Sequence, residues 1–404
     1  MSIPSASPAK SSRIDLIDVL RGSALLGLFL LHCVEHFDFS QYPSAPPAWL
    51  ASLNKQVNDT AFFLFGGKAY AIFAMMFGVS FFMIIDRAAS RGVDFRGRFT
   101  WRLCVLAAMG YLFGLLYCGE ILSMLAVLGL PLVFLYKVPT RALLWLSSLL
   151  LLQPPFLWQL ARTLIDPAYQ PVRLGVGGYY REMYQVFGNE GFAEVVKVNV
   201  WTGLVGRSAW AIENGRYLQM LGLFIWGLLL GRAHVFENPA AAARLVRRSL
   251  IVAVIAFAVL YLARAGLPSW GATKVQQGIL KKLLTSWLNL AHMVVWAAGF
   301  VMLYRFAPWQ KIFRLLVPFG RTSLSCYVTQ NAIGVLLFYH FGTGLFRHWG
   351  QAQSLLFGFA FFAVQLPLTH WWLRHFHYGP LEWLWRCFTQ LSFKTPFRKT
   401  TRPK

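Results

Sequence analysis

Long apolar runs alternate along this chain with short polar segments that are rich in arginine and lysine. About 20 apolar residues in a helix cross the hydrocarbon core of a bilayer, so each such run predicts one membrane-spanning helix. The pattern therefore predicts an all-α fold, a polytopic membrane helix bundle of about ten transmembrane helices. The predicted spans are 16–36, 61–85, 99–118, 120–137, 142–161, 216–234, 248–265, 284–304, 318–340 and 353–373.

Interruptions of the apolar pattern divide the chain into five parts. Residues 1–12, rich in Ser, Pro and Ala, predict a disordered N-terminal tail. Two transmembrane halves of five spans each, 13–161 and 216–373, flank a long extracytoplasmic loop at 162–215. The remaining residues, 374–404, predict an interfacial helix and a basic cytoplasmic tail. The polar start lacks the features of a cleavable signal peptide, so we expect the first apolar run to remain as an anchor.

Two connections are longer than is usual in a compact membrane protein, where a long loop tends to be functional or disordered. Phe37 to Asn58 is rich in proline, and 162–215 holds several tyrosine, tryptophan and arginine residues. Two interpretations of the second loop stay open. It forms an amphipathic helix on the membrane, or it forms a lid or acceptor platform whose aromatic rings stack on sugars.

Charge and composition narrow the class of protein. The chain is 57% hydrophobic and 13% charged, and its net charge is +23. With the N-terminus inside, 25 of the 38 lysine and arginine residues fall on the predicted cytoplasmic side and 13 on the other. This is the bias of the positive-inside rule, so both termini are expected in the cytoplasm and the basic residues are expected to face lipid rather than nucleic acid. The five cysteines form no C-x-x-C pair, which predicts neither disulfides nor a metal site.

Charged groups in the first apolar run are the strongest functional signal, because an ionisable residue inside a membrane helix is costly. Arg21 and His32 are eleven residues apart, which places them on one helix face about 16 Å apart. Glu35 and His36 follow at i+3 and i+4 from His32, so a carboxylate could orient an imidazole. This helix face predicts that Arg21 anchors one end as a cation and that His32 transfers a proton at the other end. A structural hydrogen bond from His32 to a neighbouring helix is the alternative.

The same stretch, His32 to His36, also matches the short H-x-x-E-H signature of some zinc proteases. That motif needs a distant third ligand in a defined fold, and no other cluster of His, Cys and carboxylates has zinc-like spacing. We therefore predict no metal site.

Several segments resemble known protein families. The opening Arg13 to Gly22, with the pattern R-x-D-x-I-D-V-L-R-G, resembles the first helix of the transmembrane acyltransferase superfamily. This group includes the heparan-glucosaminide acetyltransferases and the O-antigen acyltransferases. The segments Phe319 to Asn331 and Tyr378 to Arg386 resemble the two hallmark segments of the YeiB family (domain of unknown function 418) of bacterial inner-membrane proteins. The resemblance extends over most of residues 13–393.

The resemblance implies a multi-pass protein of the bacterial inner membrane. It would move an acyl group, acetyl being the expected one, from cytosolic acyl-CoA to an extracytoplasmic glycan or small-molecule acceptor. No permanently bound cofactor is expected. For this reaction, the residues predict His32, Glu35 and His36 as the catalytic groups. The predicted contacts to the phosphates of acyl-CoA are Arg21, Lys68, Arg96, Arg98 and Arg102. The predicted substrate contacts are Asp18, Glu120, Arg321 and Gln330.

Other roles stay open for these residues. The arginines of an inner loop also orient helices, and Asp18 is placed to pair with Arg21 at i+3. The chain has no histidine between Phe37 and Thr60, where the heparan-type branch carries its catalytic histidine, so His32, or failing it His36, is left as the candidate. Phe113 stands where the family often has a histidine and receives no role.

Two other classes of function compete with the transferase. The main alternative is a transporter or exporter of a small metabolite, in which Arg21, Lys68 and Glu120 line a permeation path without covalent chemistry. Inverted repeats would favour transport, and none is evident in the sequence. A non-catalytic membrane partner is the third possibility. The acceptor, the acyl chain and a homodimeric assembly stay open.

Overall fold

The computed structural model describes residues 15–237 and 239–399, so the tail predicted to be disordered at 1–12 lies outside the described residues. The described chain is helical and contains no β-strand, only an isolated bridge between Phe376 and Arg398. The helices are α1 Asp15–Val34, α2 Ala48–Leu64, α3 Ala69–Ala89, α4 Arg96–Gly114, α5 Leu122–Leu135, α6 Thr140–Leu151, α7 Pro154–Ile165, α8 Val176–Asn189, α9 Phe192–Val198, α10 Leu204–Glu213, α11 Arg216–Arg232, α12 Pro239–Gly266, α13 Lys274–Leu303, α14 Ala307–Arg314, α15 Val317–Arg321, α16 Ser323–Phe338, α17 Gln351–His375 and α18 Pro380–Gln390.

Several of these helices have the length and composition that a membrane requires. Within the described residues, five helical segments are long and apolar enough to cross a bilayer, or six if the bent pair α6 and α7 counts as one span. The all-α prediction is confirmed, and these helices indicate a membrane protein. The finer count of ten spans and the cytoplasmic location of the termini stay predictions.

Two of the predicted spans are broken inside the apolar run. The span predicted at 61–85 contains the end of α2 and most of α3, and the chain turns between them at 65–68, where Gly67 has φ of +78°. α2 itself begins at Ala48, inside the segment predicted to be a loop. The span predicted at 142–161 bends by 51° between α6 and α7. Here Gln153 is left-handed, with φ of +59°, and Pro154 cannot continue the helical hydrogen bonds of α6.

The region predicted as a long loop at 162–215 is mostly helical. It contains α8, α9, a π-helical turn at Asn199–Gly203, and α10. The helices bury an apolar face that includes Met183, Phe187 and Val195, and these side chains pack with the residues that follow α1. The region is therefore an ordered cap on the bundle, because its apolar side chains have a core to join.

α1 lies at the centre of the bundle and contacts α2, α3, α13, α14, α15, α16 and α17. Its closest approach is to α15. A Cβ atom at Gly22 would lie 2.8 Å from the carbonyl oxygen of Leu316, and a Cβ atom at Gly320 would overlap the carbonyl oxygen of Asp18. Only glycine allows two backbones to pack this closely. The contact brings Arg321, at the end of α15, to the same end of the bundle as Asp18 and Arg21.

α18 closes this end of the bundle, in the region where the sequence predicts an interfacial helix. Its Glu382 carboxylate accepts hydrogen bonds from the backbone nitrogens of Leu324, at 2.7 Å, and Ser325, at 3.1 Å. A carboxylate at this point satisfies unpaired donors in the first turn of α16 and complements its dipole. Trp385 donates a hydrogen bond to the carbonyl of Arg102 at 2.9 Å, which holds α18 against α4.

Candidate functional site

His32 is buried near the end of α1, and its hydrogen bonds define which ring nitrogen carries the proton. Its Nδ1 lies 2.8 Å from Oδ1 of Asn331 on α16, while the Asn331 amide nitrogen donates to the carbonyl of Tyr327 at 2.8 Å. Because the amide nitrogen of Asn331 is engaged elsewhere, its oxygen faces His32 and accepts the Nδ1 proton. In the neutral ring, Nε2 is then the unprotonated nitrogen. This is the arrangement that a general base needs.

The turn that follows α1 carries a second functional group, the carboxylate of Asp38. His36, Phe37 and Asp38 all have positive φ, at 51°, 57° and 60°. Non-glycine residues seldom adopt this conformation, and each costs about 1–3 kcal/mol unless the surroundings enforce it. The turn places Asp38 as the hydrogen-bond acceptor of the Tyr117 hydroxyl. That hydroxyl lies 3.4 Å from Nδ1 of His32.

Gly119 makes room for this arrangement. A Cβ atom at this position would overlap both the Asp38 carboxylate and the Tyr117 hydroxyl. The absence of a side chain at Gly119 therefore lets the segment before α5 lie directly against the strained turn. The result is a buried group of a carboxylate, a phenol, an imidazole and an amide, contributed by three parts of the chain.

The other two residues predicted to be catalytic lie beside His32 but differ from it in their surroundings. Both ring nitrogens of His36 are engaged, Nδ1 with the carbonyl of Gln41 at 2.7 Å and Nε2 with the hydroxyl of Ser354 at 2.8 Å. Burial lowers the pKa of His36 to about 4. Burial, and then the nearby charge of Asp38, raise the pKa of Glu35 well above its ordinary value. The geometry therefore favours His32 over His36 as a base, because His36 has no free nitrogen.

A cavity of about 450 Å³ opens between α1, α3, α4, α16 and α18. Its lining is apolar in the interior and basic near α18. The charged and polar residues of the lining are Asp18, Arg21, Ser80, Arg87, Arg102, Arg321, Ser323, His377, Glu382 and Arg386. The cavity, termed the arginine cavity below, ends against Leu28 and Tyr327. Leu28 is one helical turn before His32, and the Tyr327 ring centroid lies 6.5 Å from that of His32.

The arginine cavity collects four of the residues predicted to bind substrates: Asp18, Arg21, Arg102 and Arg321. Arg21 is 3.5 Å from Asp18 and donates a hydrogen bond to Ser80. Arg102 lies over the Trp385 ring at 3.7 Å. Five guanidinium groups in one cavity suit a polyanionic ligand, because each offers several donors in a fixed planar fork.

Arg96 and Arg98 do not line this cavity. Both precede Arg102 on α4 but lie in its first turn, and Arg98 is exposed. Arg96 pairs with Asp94 at 2.7 Å, and its hydrogen bonds lower the pKa of that carboxyl.

The remaining predicted residues hold elements of the fold together. Glu120 forms a buried ion pair with Arg207 of α10 at 2.9 Å, which attaches the cap to the bundle. Gln330 donates to Gln365 of α17 at 2.8 Å. Lys68 is buried at the break between α2 and α3 and donates to the carbonyl of Phe62 at 3.0 Å. These three residues do not line the arginine cavity.

A second hollow of about 550 Å³ is an open cleft at the cap. Its lining combines aromatic rings with amides and two arginines: Phe39, Gln41, Gly177, Tyr180, Arg181, Tyr184, Gln185, Gly188, Asn189, Phe346 and Arg347. Burial raises the pKa values of Tyr180 and Tyr184, so both phenols stay neutral and can donate hydrogen bonds. Phe39 follows Asp38 directly, so the strained turn contributes to the His32 group and to this cleft, termed the cap cleft.

Sequence reasoning missed three residues of these sites. Asp38 lies in the segment predicted as a loop, and Tyr117 is 85 residues from His32 in the chain, so no local spacing relates them. Arg386 falls in the segment predicted as an interfacial helix. The sequence does mark Asp38, because an acidic residue one turn after a histidine-bearing span is unusual. The positive φ values that orient its side chain cannot be read from the sequence. In the described part of the chain, no group of three or more His, Cys, Asp or Glu residues is placed to hold a metal ion.

Comparison with known proteins supports a relationship to the YeiB family. Residues 230–392, which contain both hallmark segments, match a family described as a protein of unknown function (DUF418). The chain is similar to the uncharacterized protein YxaH of Bacillus subtilis, with 25% identity over 96% of this chain and 97% of the relative. It is 25% identical to the uncharacterized protein YeiB of Escherichia coli, over 96% of this chain and 98% of the relative.

An uncharacterized 39.9 kDa protein from the amylase 3′ region of Bacillus acidopullulyticus gives 27% identity, over 94% of this chain and 95% of the relative. No solved structure matches the chain. At this low identity the comparisons support the YeiB relationship and leave the acyltransferase resemblance a prediction.

Proposed function

We propose that this protein is a membrane-bound acyltransferase that moves an acyl group from a cytosolic acyl-CoA to an acceptor on the other side of the membrane. The observation that supports this most directly is the position of His32. Its Nδ1 is fixed by Asn331, its Nε2 is free to accept a proton, and it lies just beyond the end of the arginine cavity.

The arginine cavity suits the donor. Acyl-CoA is a long, thin molecule. It carries several phosphate charges at one end and a thioester at the other. Arg87, Arg102 and Arg386 would hold the phosphates as charge-assisted pairs near α18. The arm would follow α1 from Arg21 toward Leu28, and Arg21 to His32 is about 16 Å along the helix axis. The thioester carbon would then lie near the imidazole.

The chemistry follows from these positions. His32 Nε2 takes the proton of the acceptor hydroxyl as its oxygen attacks the thioester carbonyl carbon. A carbon–oxygen bond forms, the carbon–sulfur bond breaks, and the proton passes from His32 to the departing thiolate of coenzyme A. Asp38 accepts the hydrogen bond of the Tyr117 hydroxyl, which lies 3.4 Å from His32 Nδ1, so its negative charge would favour the transient imidazolium. Asn331 keeps the ring oriented throughout, so it is a positioning residue.

The cap cleft suits a saccharide acceptor. Aromatic rings such as Tyr180 and Tyr184 offer flat apolar faces to a sugar ring, while Gln41, Gln185 and Asn189 can exchange hydrogen bonds with hydroxyls. The acceptor would enter here and meet the thioester at His32. In this orientation the arginine cavity and both termini face the cytoplasm of a bacterium, and the cap lies on the far side of the inner membrane.

The first experiment is donor binding by the purified protein in detergent, followed by thermal unfolding. Acetyl-CoA is expected to raise the unfolding temperature with donor concentration. Arg87→Gln and Arg386→Gln are expected to weaken binding about tenfold each, since a charge-assisted pair contributes about 1.4 kcal/mol or more. Arg98→Gln is the matched control, because Arg98 is on α4 but outside the cavity. Equal binding in all four proteins, or no shift with any acyl-CoA, would contradict the donor site.

The second experiment separates transfer from transport. One observation favours a transporter of an organic anion: the interruption between α2 and α3 leaves a discontinuous helix beside the buried cation Lys68, as in many transporters. In proteoliposomes loaded with acetyl-CoA, a transferase releases free thiol when acceptor saccharides are added outside, and His32→Ala abolishes release. Efflux of intact acetyl-CoA, unchanged by His32→Ala, would instead establish transport.

A further inference from the structure

A group of three cations does not line the arginine cavity and takes no part in the proposed reaction. Lys68 caps the start of α3, Arg216 begins α11, and Arg264 is in the last turn of α12. We term these three residues the basic cluster. Arg216 donates to the hydroxyl of Tyr70, two residues after Lys68 in the chain. Lys68 Nζ lies 6.0 Å from the Phe63 ring, and that ring lies 6.2 Å from the Phe257 ring of α12, two helical turns before Arg264. The three cations therefore share one region of the bundle.

Within residues 15–237 and 239–399, no ion pair involves Lys68, Arg216 or Arg264. Lys68 is 6% exposed, and the Nε atom of Arg216 is buried without a hydrogen-bond partner. A buried cation without a counter-charge is strongly unfavourable, so buried charges in proteins are normally paired.

The surroundings of Arg216 have the form of a built site. Its Nη1 donates to the Tyr70 hydroxyl at 2.7 Å and to Oε1 of Gln219 at 3.2 Å. Its guanidinium also lies 4.9 Å from the Tyr70 ring and 5.4 Å from the Trp210 ring. These contacts fix the guanidinium plane while the Nε donor remains available. Lys68 likewise donates one proton to Phe62 and keeps the others for a ligand.

The basic cluster reaches the surface of the bundle among apolar side chains. Arg264 is exposed, and Phe62, Phe63 and Tyr261 are 40%, 47% and 52% exposed. Such rings face acyl chains in a membrane protein, so the approach to the cluster is from the bilayer. Basic pockets between membrane helices are typical sites for anionic headgroups.

We propose that the basic cluster binds the phosphate group of an anionic phospholipid, seated at the break between α2 and α3. The phosphate would take the remaining donors of Lys68 and Arg216, and Arg264 would close the site from the lipid side. The ligand would thereby stabilise the span at Gly67, where the left-handed backbone, with φ of +78°, interrupts the regular helix. This inference is independent of the acyl-transfer reaction.

The test is lipid binding by native mass spectrometry of the purified protein, with dioleoyl phosphatidylglycerol and dioleoyl phosphatidylcholine as probes. Phosphatidylglycerol is expected to bind at least tenfold more tightly. Arg216→Gln and Arg264→Gln are each expected to reduce that preference about tenfold, because each removes one charge-assisted contact. Arg264 is exposed, so its variant is expected to fold even if Arg216→Gln does not. Arg244→Gln, an exposed arginine of the same helix, is the matched control.

A parallel experiment with inorganic phosphate distinguishes a lipid headgroup from a free phosphate as the source of the anion. If millimolar phosphate raises the unfolding temperature of the wild-type protein, and Arg216→Gln removes the effect, the site takes phosphate and a free anion is its source. If phosphatidylglycerol has the effect and inorganic phosphate does not, the source is lipid, as proposed. Equal affinity for the two lipids together with no response to phosphate would overturn the proposal, as would full phosphatidylglycerol preference in Arg264→Gln and Arg216→Gln.

Discussion

Replacing Gly119 with alanine tests the arrangement around His32 without touching any reacting group. The new methyl group would overlap the Asp38 carboxylate and the Tyr117 hydroxyl, so Asp38 has to move. The backbone at Gly119 does not have positive φ, so alanine is compatible with its conformation, and the effect comes from the overlap alone.

The magnitude follows from two contributions. Overpacking by a methyl group costs about 1–3 kcal/mol, and a hydrogen bond to a charged acceptor contributes about 1.5–3 kcal/mol. Because the turn relaxes part of its backbone strain when it shifts, we expect Gly119→Ala to lower the free energy of unfolding by about 2 kcal/mol. A displacement of about 1 Å at a reacting centre slows a reaction about a hundredfold. We expect a loss of transfer rate of this size.

The assay measures free thiol released from acetyl-CoA by the protein in nanodiscs, with saccharide acceptors added, beside thermal unfolding of the same samples. Gly299→Ala is the matched control, because a Cβ atom there meets nothing within 4 Å. It is expected to keep the wild-type rate. Asp38→Asn keeps the shape of the side chain and removes its charge, and it is expected to lose rate without the overlap. A folded Gly119→Ala protein with the wild-type rate would refute the role of the Asp38–Tyr117 contact.

Three further predictions concern named contacts. Asn331→Leu removes the acceptor for His32 Nδ1 and is expected to slow transfer about tenfold while acetyl-CoA binding is unchanged; a parallel loss of binding would contradict a positioning role. Glu120→Ala leaves Arg207 without its buried partner and is expected to lower the free energy of unfolding by about 3–5 kcal/mol. A double variant with Arg207→Leu should recover part of this loss, and additive losses would argue against a coupled pair. Burial lowers the pKa of His36 from 6.5 to about 4, so as the pH falls the unfolded chain binds a proton at His36 before the folded chain does. The free energy of unfolding is therefore expected to fall between about pH 6.5 and about pH 4, by up to about 3 kcal/mol. His36→Gln should flatten that part of the pH profile, and an unchanged profile would show that other groups cause it.

The apolar pattern predicted the helical class because burial in a bilayer imposes a simple rule on composition. The helix boundaries predicted from this pattern were wrong where the helix is interrupted inside an apolar run. At 65–68 and at Gln153 the break depends on left-handed backbone conformations, which the hydrophobicity of the run does not report. The individual helices inside the segment predicted as a long loop at 162–215 were not predictable for a different reason. Its helices are short, and they become stable only by packing on the aromatic core beside α1.

In the candidate site, too, some features follow from local helix geometry and others from tertiary contacts. Periodicity placed Arg21 and His32 on one face of α1, and this required only the geometry of a single helix. The choice among the arginines required tertiary structure, since Arg102 and Arg386 meet only where α18 packs on α4, while Arg98 lies in the same helix and points elsewhere.

The order of residues alone indicates a helical, membrane-like chain, and it draws attention to His32 because an imidazole in an apolar run is costly. Folding selects the groups that surround that imidazole. Asn331 contacts it from a helix 299 residues away in the chain, and Asp38 reaches it through the Tyr117 hydroxyl from a strained turn. These contacts depend on close packing at Gly22, Gly119 and Gly320, which is a property of the folded chain and not of any local pattern.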